Sequence, residues 1–469
     1  MKYRPLLSLA PAIIFCAGLG TAHAAEPAVS EFPPDPFPST YRPLPSQPTL
    51  IEHATIYTGT GARIDDGAVL LRDGKVAAIG KRVAAPKDAV VIDARGKFVT
   101  PGLIDVHSHL GVYPSPAVDA TANGNEMTNP NTAQVRSENS VWPEDPGFNT
   151  ARAGGVTTLA ILPGSGNLIG GRTVVLKNVP ATTVQAMKFP GAPYGLKMAC
   201  GENPMRVYGN RGQFPSTLMG DVAGYRQAFA DAQAYDRAWK AWEAKVKAKG
   251  RAAAGAPPAR DLKLETLAEV LDGRINVQMH CYRSDEMKTM LDVSKEFGFK
   301  IAAFHHAVEA YKIPKLLAKS GTCAAMWADW WGFKMEAWDG IRANIAMVDA
   351  AGACAMIHSD DENGIQRLNQ EVAKAWAAGR RAGIDVSKAH AVMWMTLNPA
   401  KDLGLADQIG SLEKGKNADV VIWSGDPFSV YTRADKVFVD GAVVYDRQNQ
   451  KRQAVSDFKL GSFIKGSAL

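Results

Sequence analysis

Residues 97–114, KFVTPGLIDVHSHLGVYP, contain a short apolar run that ends in two histidines one residue apart. Side chains alternate between the two faces of a strand, so Asp105, His107 and His109 are predicted to share one face. Two imidazoles on one face at the end of a strand can hold the same metal ion, because imidazole is a common ligand for zinc and related metals. A polar pair beside a turn would show the same local pattern. The interpretation as a metal site therefore depends on whether the rest of the chain supplies further ligands.

The composition is that of a globular protein, with 469 residues of which 46% are hydrophobic and 21% are charged. This length predicts one large catalytic domain with a smaller one, or two to three domains. The net charge of +6 falls by two, to +4, when residues 1–24 are removed together with Lys2 and Arg4. A mild excess of positive charge without a basic cluster argues against a nucleic-acid partner.

Residues 1–24 have the pattern of a secretory signal peptide. Lys2 and Arg4 precede the apolar stretch LLSLAPAIIFCAGLG, and Ala22-His23-Ala24 is a small-x-small cleavage site. No later apolar run is long enough to span a bilayer. We therefore expect an exported, periplasmic protein that is cleaved near Ala24 and has no membrane insertion afterwards.

Four cysteines remain once the signal peptide is removed. Each lies in or beside an apolar run, and their spacing shows no disulfide framework. An oxidising compartment permits disulfides, but a core of this size does not need them. We predict four buried thiols, at Cys200, Cys281, Cys323 and Cys354.

The rest of the chain divides into segments that differ in composition and in strand or helix signals. Residues 25–48 are a proline-rich arm, and short strand-like runs with turn signals fill 49–101 and return at 402–446, where they could pair as one composite domain. The other predicted segments are a barrel at 102–401, a helical insertion within it at 221–257, and a C-terminal tail at 447–469. The insertion is rich in alanine and charge, which favours a solvated helix; a lid or a homo-oligomer contact is the alternative.

Eight apolar runs with strand character alternate with helical stretches through the central region. In order they are GLIDVHSH, VTTLAILPG, TVVLKNV, YGLKMACGE, RINVQMH, KIAAFHH, TCAAMWA and GACAMIHSD. Repeated alternation over this length predicts a parallel α/β fold, and eight repeats favour a (β/α)8 TIM barrel. Active sites of such barrels lie at the C-terminal ends of the strands, where His107 and His109 are expected.

Three motifs together resemble the metal-dependent amidohydrolase superfamily, in particular its imidazolonepropionase-like and dipeptidase-like branch. They are VTPGLIDVHSHL, TLNPAKDLGLADQIGSLEKGKNADVVIW and VFVDGAVVYD, and the likeness extends over roughly residues 49–446. The resemblance implies a (β/α)8 barrel, a composite β-sandwich domain built from both terminal segments, and one or two divalent metal ions, with zinc expected.

The resemblance also implies a ligand set. His107 and His109 match the pair on the first barrel strand, and His280 ends the polar face of the fifth strand, where relatives carry a ligand. On the sixth strand His305 and His306 point opposite ways, and the likeness favours His306. Asp360 occupies the place of the catalytic aspartate at the end of the eighth strand, with Asp361 as a helix-capping alternative and His358 as a pocket-lining or packed residue.

A site with two metals needs a bridging anion. Lys197 lies on the fourth strand, where relatives carry a carboxylated lysine whose carbamate is an anion with two oxygens. Glu202 could bridge instead, or could bind a substrate amine. A structural lysine in a salt bridge is the alternative for Lys197.

The mechanism that the resemblance implies is hydrolysis of an amide-type C–N bond by a metal-activated hydroxide, with Asp360 as general base and then general acid. A dipeptide, an N-acyl amino acid or a cyclic amide would fit, so the expected partner is a small molecule or a short peptide. The alternatives are a mononuclear deaminase, an imidazolonepropionase, and a non-catalytic barrel that serves as a binding scaffold. Deaminases of the superfamily usually carry glutamate three residues after the fifth-strand histidine, where this chain has Arg283.

Candidate substrate contacts are weaker predictions. Tyr282 and Arg283 follow His280, and Arg172 lies in a glycine-rich run; either arginine could clamp a carboxylate, although an ion pair within the barrel is the commoner use. The segment WADWWGFKMEAW, residues 327–338, could form the wall of an apolar substrate pocket or could pack as a loop.

Overall fold

The computed structural model describes residues 35–115 and 117–449. The predicted signal peptide, the first ten residues of the arm and residues 450–469 of the predicted tail lie outside the described residues. Within the described ranges, we find no helix that combines the length and the apolar character needed to cross a membrane.

Sixteen strands form within the described residues. They are β1 (Thr49–Tyr57), β2 (Arg63–Arg72), β3 (Lys75–Gly80), β4 (Val90–Asp93), β5 (Phe98–Pro101), β6 (Leu103–Ser108), β7 (Val156–Ile161), β8 (Ile169–Lys177), β9 (Gly195–Ala199), β10 (Asn276–Cys281), β11 (Ile301–His306), β12 (Cys323–Met326), β13 (Ala355–Ile357), β14 (Val420–Trp423), β15 (Ala434–Val439) and β16 (Ala442–Asp446).

Both ends of the chain contribute to one eight-stranded sheet. Its order is β16-β15-β14-β5-β1-β2-β3, with β4 paired to β1. The two parts join where β14 runs antiparallel to β5, with Ile422 opposite Val99. The hairpin between β2 and β3 turns at Asp73 and Gly74, which both have positive φ as a tight two-residue turn requires. The predicted composite β domain is therefore confirmed as a sheet whose strands share one core.

The strands β6 to β13 form a second sheet of eight strands in consecutive order, nearly closed into a barrel. This confirms the predicted barrel, with one departure: β8 runs antiparallel to both β7 and β9. Only seven residues, 162–168, separate β7 from β8. A parallel crossover needs a dozen or more residues, so this short connection forces the third strand to reverse.

The barrel closes between its first and last strands through a few specific hydrogen bonds. The backbone N–H of Asp360 donates to the carbonyl of His107 at 2.9 Å. The backbone N–H of Ser359 donates to Oδ1 of Asp105 at 3.2 Å. This junction, the barrel seam, brings Asp360 beside the two histidines of β6.

Helices fill the connections between barrel strands. They are α1 (Pro146–Ala153), α2 (Glu202–Gly209), α3 (Leu218–Lys249), α4 (Arg251–Ala254), α5 (Leu262–Leu271), α6 (Ser284–Phe297), α7 (Pro314–Ser320), α8 (Asn344–Ala350), α9 (Leu368–Arg381), α10 (Lys388–Ala391) and α11 (Leu397–Asp402). Helix α3 corresponds to the predicted insertion. One of its faces is buried, with Tyr225 and Phe229 in the core and Phe229 stacked on Phe299 at 4.2 Å, so only the opposite face is solvated.

The prediction of four buried thiols is wrong, because the cysteines form two disulfides, Cys200–Cys281 and Cys323–Cys354. Each links neighbouring barrel strands, and the Cα–Cα distances of 5.4 and 4.4 Å suit a disulfide. The paired residues are 81 and 31 positions apart in sequence. They become neighbours only when the strands align, so their spacing along the chain carries no sign of the pairing.

Candidate metal centre

The predicted ligands meet at the C-terminal end of the barrel. Each is delivered by the end of a strand or by the residues just after it: His107 and His109 by β6, Lys197 by β9, His280 by β10, His306 by β11 and Asp360 by the turn after β13. All but His109 and Asp360 are almost fully buried. The arrangement forms two halves that share His107.

The first half lies at the barrel seam and consists of His107, His109 and Asp360; we call it the seam half. Oδ1 of Asp360 lies 3.3 Å from Nε2 of His107 and 3.1 Å from Nε2 of His109. Nδ1 of His109 must donate its hydrogen to the carbonyl of Leu162, at 2.8 Å, because a carbonyl can only accept. A neutral His109 would then face the carboxylate with a lone pair. Only a proton or a metal ion between the two groups satisfies both, so the residues fit a bound cation.

The second half consists of Lys197, His280 and His306; we call it the lysine half. Nζ of Lys197 lies 3.0 Å from Nε2 of His107, and the rings of His280 and His306 are 4.5 Å apart. His358 joins them, because its ligand atom lies within 4.8 Å of those of His107 and His306.

Several buried ring nitrogens around the site have no hydrogen-bond partner among the described residues. They are Nδ1 of His107, His280, His305 and His306 and both nitrogens of His358. Buried polar atoms are nearly always paired, so this concentration of ring nitrogens without a partner also fits metal ligation.

Burial sets the charge state of the cluster. It lowers the pKa of His107, His280 and His306 well below the usual value, and neighbouring positive groups lower it further, so these imidazoles are neutral, as metal ligands must be. Burial also lowers the pKa of Lys197 to about 8. For Asp360 burial raises the pKa, but the hydrogen bond with His109 and nearby positive charge outweigh it, and the net pKa is lowered.

The structure separates the two adjacent histidines of β11. The ring of His306 contacts those of Tyr282, at 5.0 Å, and Trp327, at 4.4 Å, and its Nδ1 lies 4.0 Å from Asp360. Nε2 of His305 instead lies 2.6 Å from the amide oxygen of Gln278, whose amide nitrogen donates to Asp402. Because that oxygen can only accept, His305 carries its hydrogen on Nε2.

Backbone strain marks the same positions. His306, Ala307 and Asp360 have φ values of 69°, 42° and 57°, in the left-handed region that residues other than glycine rarely adopt. Such conformations persist only where the surrounding structure enforces them, and they concentrate at functional sites.

The sequence analysis placed Asp105 on the same strand face as His107 and His109 but assigned it no role in the site. Its Oδ1 accepts hydrogen bonds from the backbone of His107, at 3.1 Å, and of Ser359, and its Oδ2 accepts from Oγ of Ser359. Burial raises the pKa of Asp105 to about 7. The spacing Asp-x-His-x-His was the available signal, since it places Asp105 on the face of the ligands.

The structure brings only some of the four candidate substrate contacts close to the site. Tyr282 is buried against His306, whereas Glu202 lies at the rim, 3.5 Å from Nζ of Lys334. Arg172 is not brought to the site, because it is held by Glu269, at 2.7 Å, and by Thr266 on α5. Arg283 is half exposed and pairs with Asp285 at 3.0 Å, outside the cluster.

Lys334 and Asn203 were missed by the sequence analysis. Nζ of Lys334 lies 4.0 Å from the ring centre of Tyr282 and 3.0 Å from Oδ1 of Asn203, whose Nδ2 lies 3.5 Å from Nε2 of His280. Lys334 belongs to the tryptophan-rich segment after β12, and Trp327 of that segment contacts both His306 and His358. A single lysine among tryptophans gave no pattern from which this position could be read.

Comparisons with known proteins agree with this geometry. The model of the amidohydrolase family matches residues 98–446. The chain is 33% identical over 430 residues to amidohydrolase tasK of Hapsidospora irregularis, covering 85% of this chain but 43% of that protein, so it spans less than half of that relative's length. It is 23% identical over 390 residues to an imidazolonepropionase of Mesorhizobium japonicum, covering 77% of this chain and 87% of that protein.

Among solved structures, an amidohydrolase from Thermotoga maritima MSB8 is 34% identical to this chain, with a TM-score of 0.77, covering 85% of this chain and all of that one. The family generally uses a divalent metal, and the histidine and aspartate groups described above could bind one. The chain belongs to the amidohydrolase family.

Proposed function

We propose that the protein is a hydrolase that cleaves an amide-type C–N bond in a small molecule or short peptide, with a divalent metal, expected to be zinc, and with Asp360 as the residue that moves the proton. The observation that carries the proposal is the convergence of four imidazoles, a buried lysine and an ionised carboxylate at the C-terminal ends of the barrel strands.

The residues that would hold metal are those of the two halves. In the seam half, Asp360 supplies the negative charge beside His107 and His109. The lysine half has no carboxylate, so a second ion there needs an added anion, and carboxylation of Lys197 would supply one. A bound divalent ion lowers the pKa of water to roughly 7 and polarises a carbonyl.

Asp360 is suited to carry a proton from the attacking water to the leaving nitrogen. Its lowered pKa keeps it ionised at neutral pH, so it can accept a proton at Oδ1 or Oδ2. Hydrogen bonding of its backbone to His107 fixes its position across the barrel seam. Tyr282 and Trp327 pack against the ring of His306, which is buried.

The rim suggests how the substrate is recognised. Trp327, Trp330 and Phe333 form an aromatic wall with ring centres 5.5 to 5.9 Å apart, suited to an apolar or aromatic group. Lys334 and Asn203 provide polar contacts beside it. The candidate substrates are dipeptides, N-acyl amino acids and cyclic amides. Cyclic amides are included because the chain is similar to an imidazolonepropionase.

We also propose that the protein acts outside the cytoplasm after export. The signal-like N-terminus supports this, and so do the two disulfides, because such bonds persist in oxidising compartments. Fractionation of cells, with immunodetection of the protein and mass analysis of its N-terminus, tests this proposal.

The decisive experiment combines metal analysis with a substrate panel. Purified protein should contain one or two divalent ions per chain, lose activity with EDTA and regain it with Zn²⁺. The panel contains dipeptides, N-acyl amino acids, cyclic amides and amino-substituted heterocycles. Release of ammonia from the heterocycles alone would replace this proposal by a deaminase. A protein that binds no divalent ion would refute it.

A further inference from the structure

We propose that the Cys200–Cys281 disulfide is a positioning element of the metal centre: it holds β9 and β10 together at the level of Lys197 and His280, and the affinity for metal depends on it. This rests on the proposed function only in assuming that the site binds a divalent ion.

The disulfide lies where two neighbouring strands separate. Ala199 of β9 is opposite His280 of β10, and the N–H of Cys200 donates to the carbonyl of His280 at 2.9 Å. Directly afterwards Gly201 turns the chain with a φ of 83° into α2, while the chain after Cys281 leads to α6. The covalent bond therefore joins the two strands at the point where their backbone pairing ends.

Residues of the site are attached on both sides of the bond. His280 precedes Cys281 and Tyr282 follows it, so both sides of this cysteine contact His306. Lys197 lies three residues before Cys200 and reaches His107. A shift of either cysteine would thus move a predicted ligand and part of the wall that orients His306.

Three buried acids from different segments lie beside the bond or beside the turn that follows it. Asp221 accepts from the N–H of Gly201 at 3.2 Å, Glu336 accepts from the N–H of Glu202 at 2.5 Å, and Glu286 lies 3.4 Å from Sγ of Cys200. These acids come from α3, from the segment after β12 and from α6, and Lys334 pairs with Glu336 at 3.2 Å. The bond therefore lies where three further segments pack against the ends of β9 and β10.

The second disulfide provides a matched control. Cys323 is the first residue of β12, and Cys354 directly precedes β13, so this bond joins two strands at their N-terminal ends. A strand rises about 3.3 Å per residue, which places this bond roughly 10 Å from the catalytic end of β12. Removal of the Cys323–Cys354 disulfide should therefore lower the stability of the protein without moving the predicted metal ligands.

The experiment compares C200A/C281A with C323A/C354A and wild type, all produced under oxidising conditions. The affinity for Zn²⁺ alone is measured by competition with a chromophoric chelator, and the melting temperature of the metal-free protein is measured separately. Both variants should melt lower than wild type. Only C200A/C281A should bind Zn²⁺ more weakly, by about tenfold or more, as when groups that orient a metal ligand are lost.

Wild-type affinity in C200A/C281A, or an equal loss in both variants, would overturn the proposal. The serine pair C200S/C281S is the second variant, since it preserves volume and supplies no thiolate. If both C200A/C281A and C200S/C281S fail to fold while C323A/C354A remains folded, the Cys200–Cys281 bond stabilises the fold and not the metal centre. The proposal is then wrong. Failure of the wild type to bind Zn²⁺ is a different result, because it refutes the proposed function itself.

Discussion

The two halves of the metal centre differ in the charge that they offer to a cation. The seam half contains a carboxylate whose lowered pKa keeps it ionised, whereas the lysine half contains neutral imidazoles and an amine. The first can hold a divalent ion as it stands, but the second becomes suitable only when Lys197 is converted to an anion. The number of metal ions thus depends on the chemistry of one lysine.

A buried aspartate with a pKa raised to about 7 supports each half, in a different way. Asp105 accepts hydrogen bonds directly from the residues flanking the seam half. Asp402 acts below the lysine half through Gln278, which fixes the hydrogen of His305 on Nε2. The seam half is therefore supported by direct bonds, and the lysine half by a chain of neutral side chains.

The largest expected effect is that of Asp360→Asn, which removes the proton carrier of the seam half. Turnover should fall by about 10²- to 10⁴-fold, the usual contribution of general acid–base catalysis. The matched control is Asp361→Asn, because that neighbouring carboxylate is partly exposed and caps the N–H groups of Asn363 and Gly364. Full turnover by the Asp360 variant, measured on the best substrate, would remove Asp360 from the mechanism.

Lys197→Met tests the lysine half. The metal content should fall from two ions per chain to one, and kcat/KM should fall on the order of 10²-fold, because a second Lewis acid contributes several kcal/mol. Elemental analysis measures the content, and native mass spectrometry detects the carboxyl group on Lys197 of the wild type. Glu202→Gln is the comparison: loss of an ion in that variant, with both ions kept in Lys197→Met, would assign the bridge to Glu202.

Asp105→Asn should weaken the seam half more than Asp402→Asn weakens the lysine half. Asparagine keeps one oxygen for the N–H groups of His107 and Ser359, but its amide nitrogen cannot accept the bond from Oγ of Ser359. Asp360, the next residue, then loses its alignment and kcat falls about 10- to 100-fold, as for other outer-shell groups. Asp402→Asn should leave kcat near that of wild type. Equal kcat values in the two variants would contradict the difference between direct and indirect support.

The pH dependence of stability isolates Asp402. Burial raises its pKa to about 7, so the folded state retains a proton that the unfolded state has lost between about pH 4 and pH 7. Its contribution to the free energy of unfolding therefore decreases as the pH rises through this window, by at most about 4 kcal/mol for a shift of three units. Urea denaturation of the metal-free protein should show a flatter pH dependence in Asp402→Asn, and an unchanged slope would mean that Asp402 is ionised when folded.

The smallest effect is expected at the rim. Lys334→Gln removes a charge beside Tyr282 and Asn203, which should raise KM by about three- to tenfold with kcat unchanged, as for one hydrogen bond. Lys312→Gln is the control, because that lysine forms surface ion pairs with Glu309 and Asp339. A KM that stays the same in both variants would exclude Lys334 from substrate binding.

Local patterns were sufficient for much of this structure. The apolar runs predicted the eight barrel strands, and alternation placed His107 and His280 on polar faces that the structure brings together. The reversal of β8 was not predicted, although the connection at residues 162–168 is too short for a parallel crossover. What could not be read depends on pairing between distant segments: the disulfide partners, the capture of Arg172 by Glu269, and the approach of Lys334 to Tyr282.

The reversed third strand has a consequence for the order in which the protein assembles. No α-helix covers the connection between β8 and β9; the described part of the arm lies there instead, with Thr40 bonded to Gln185 and Asp35 paired with Lys188 at 2.5 Å. Tyr41 then bonds to Asp440, near the end of the composite sheet. Synthesis begins at the N-terminus, so the arm is made first but can dock only after the residues that receive it have been added. The arm can therefore bind both partners only after Asp440 has been made, and it then fastens the barrel to the sheet.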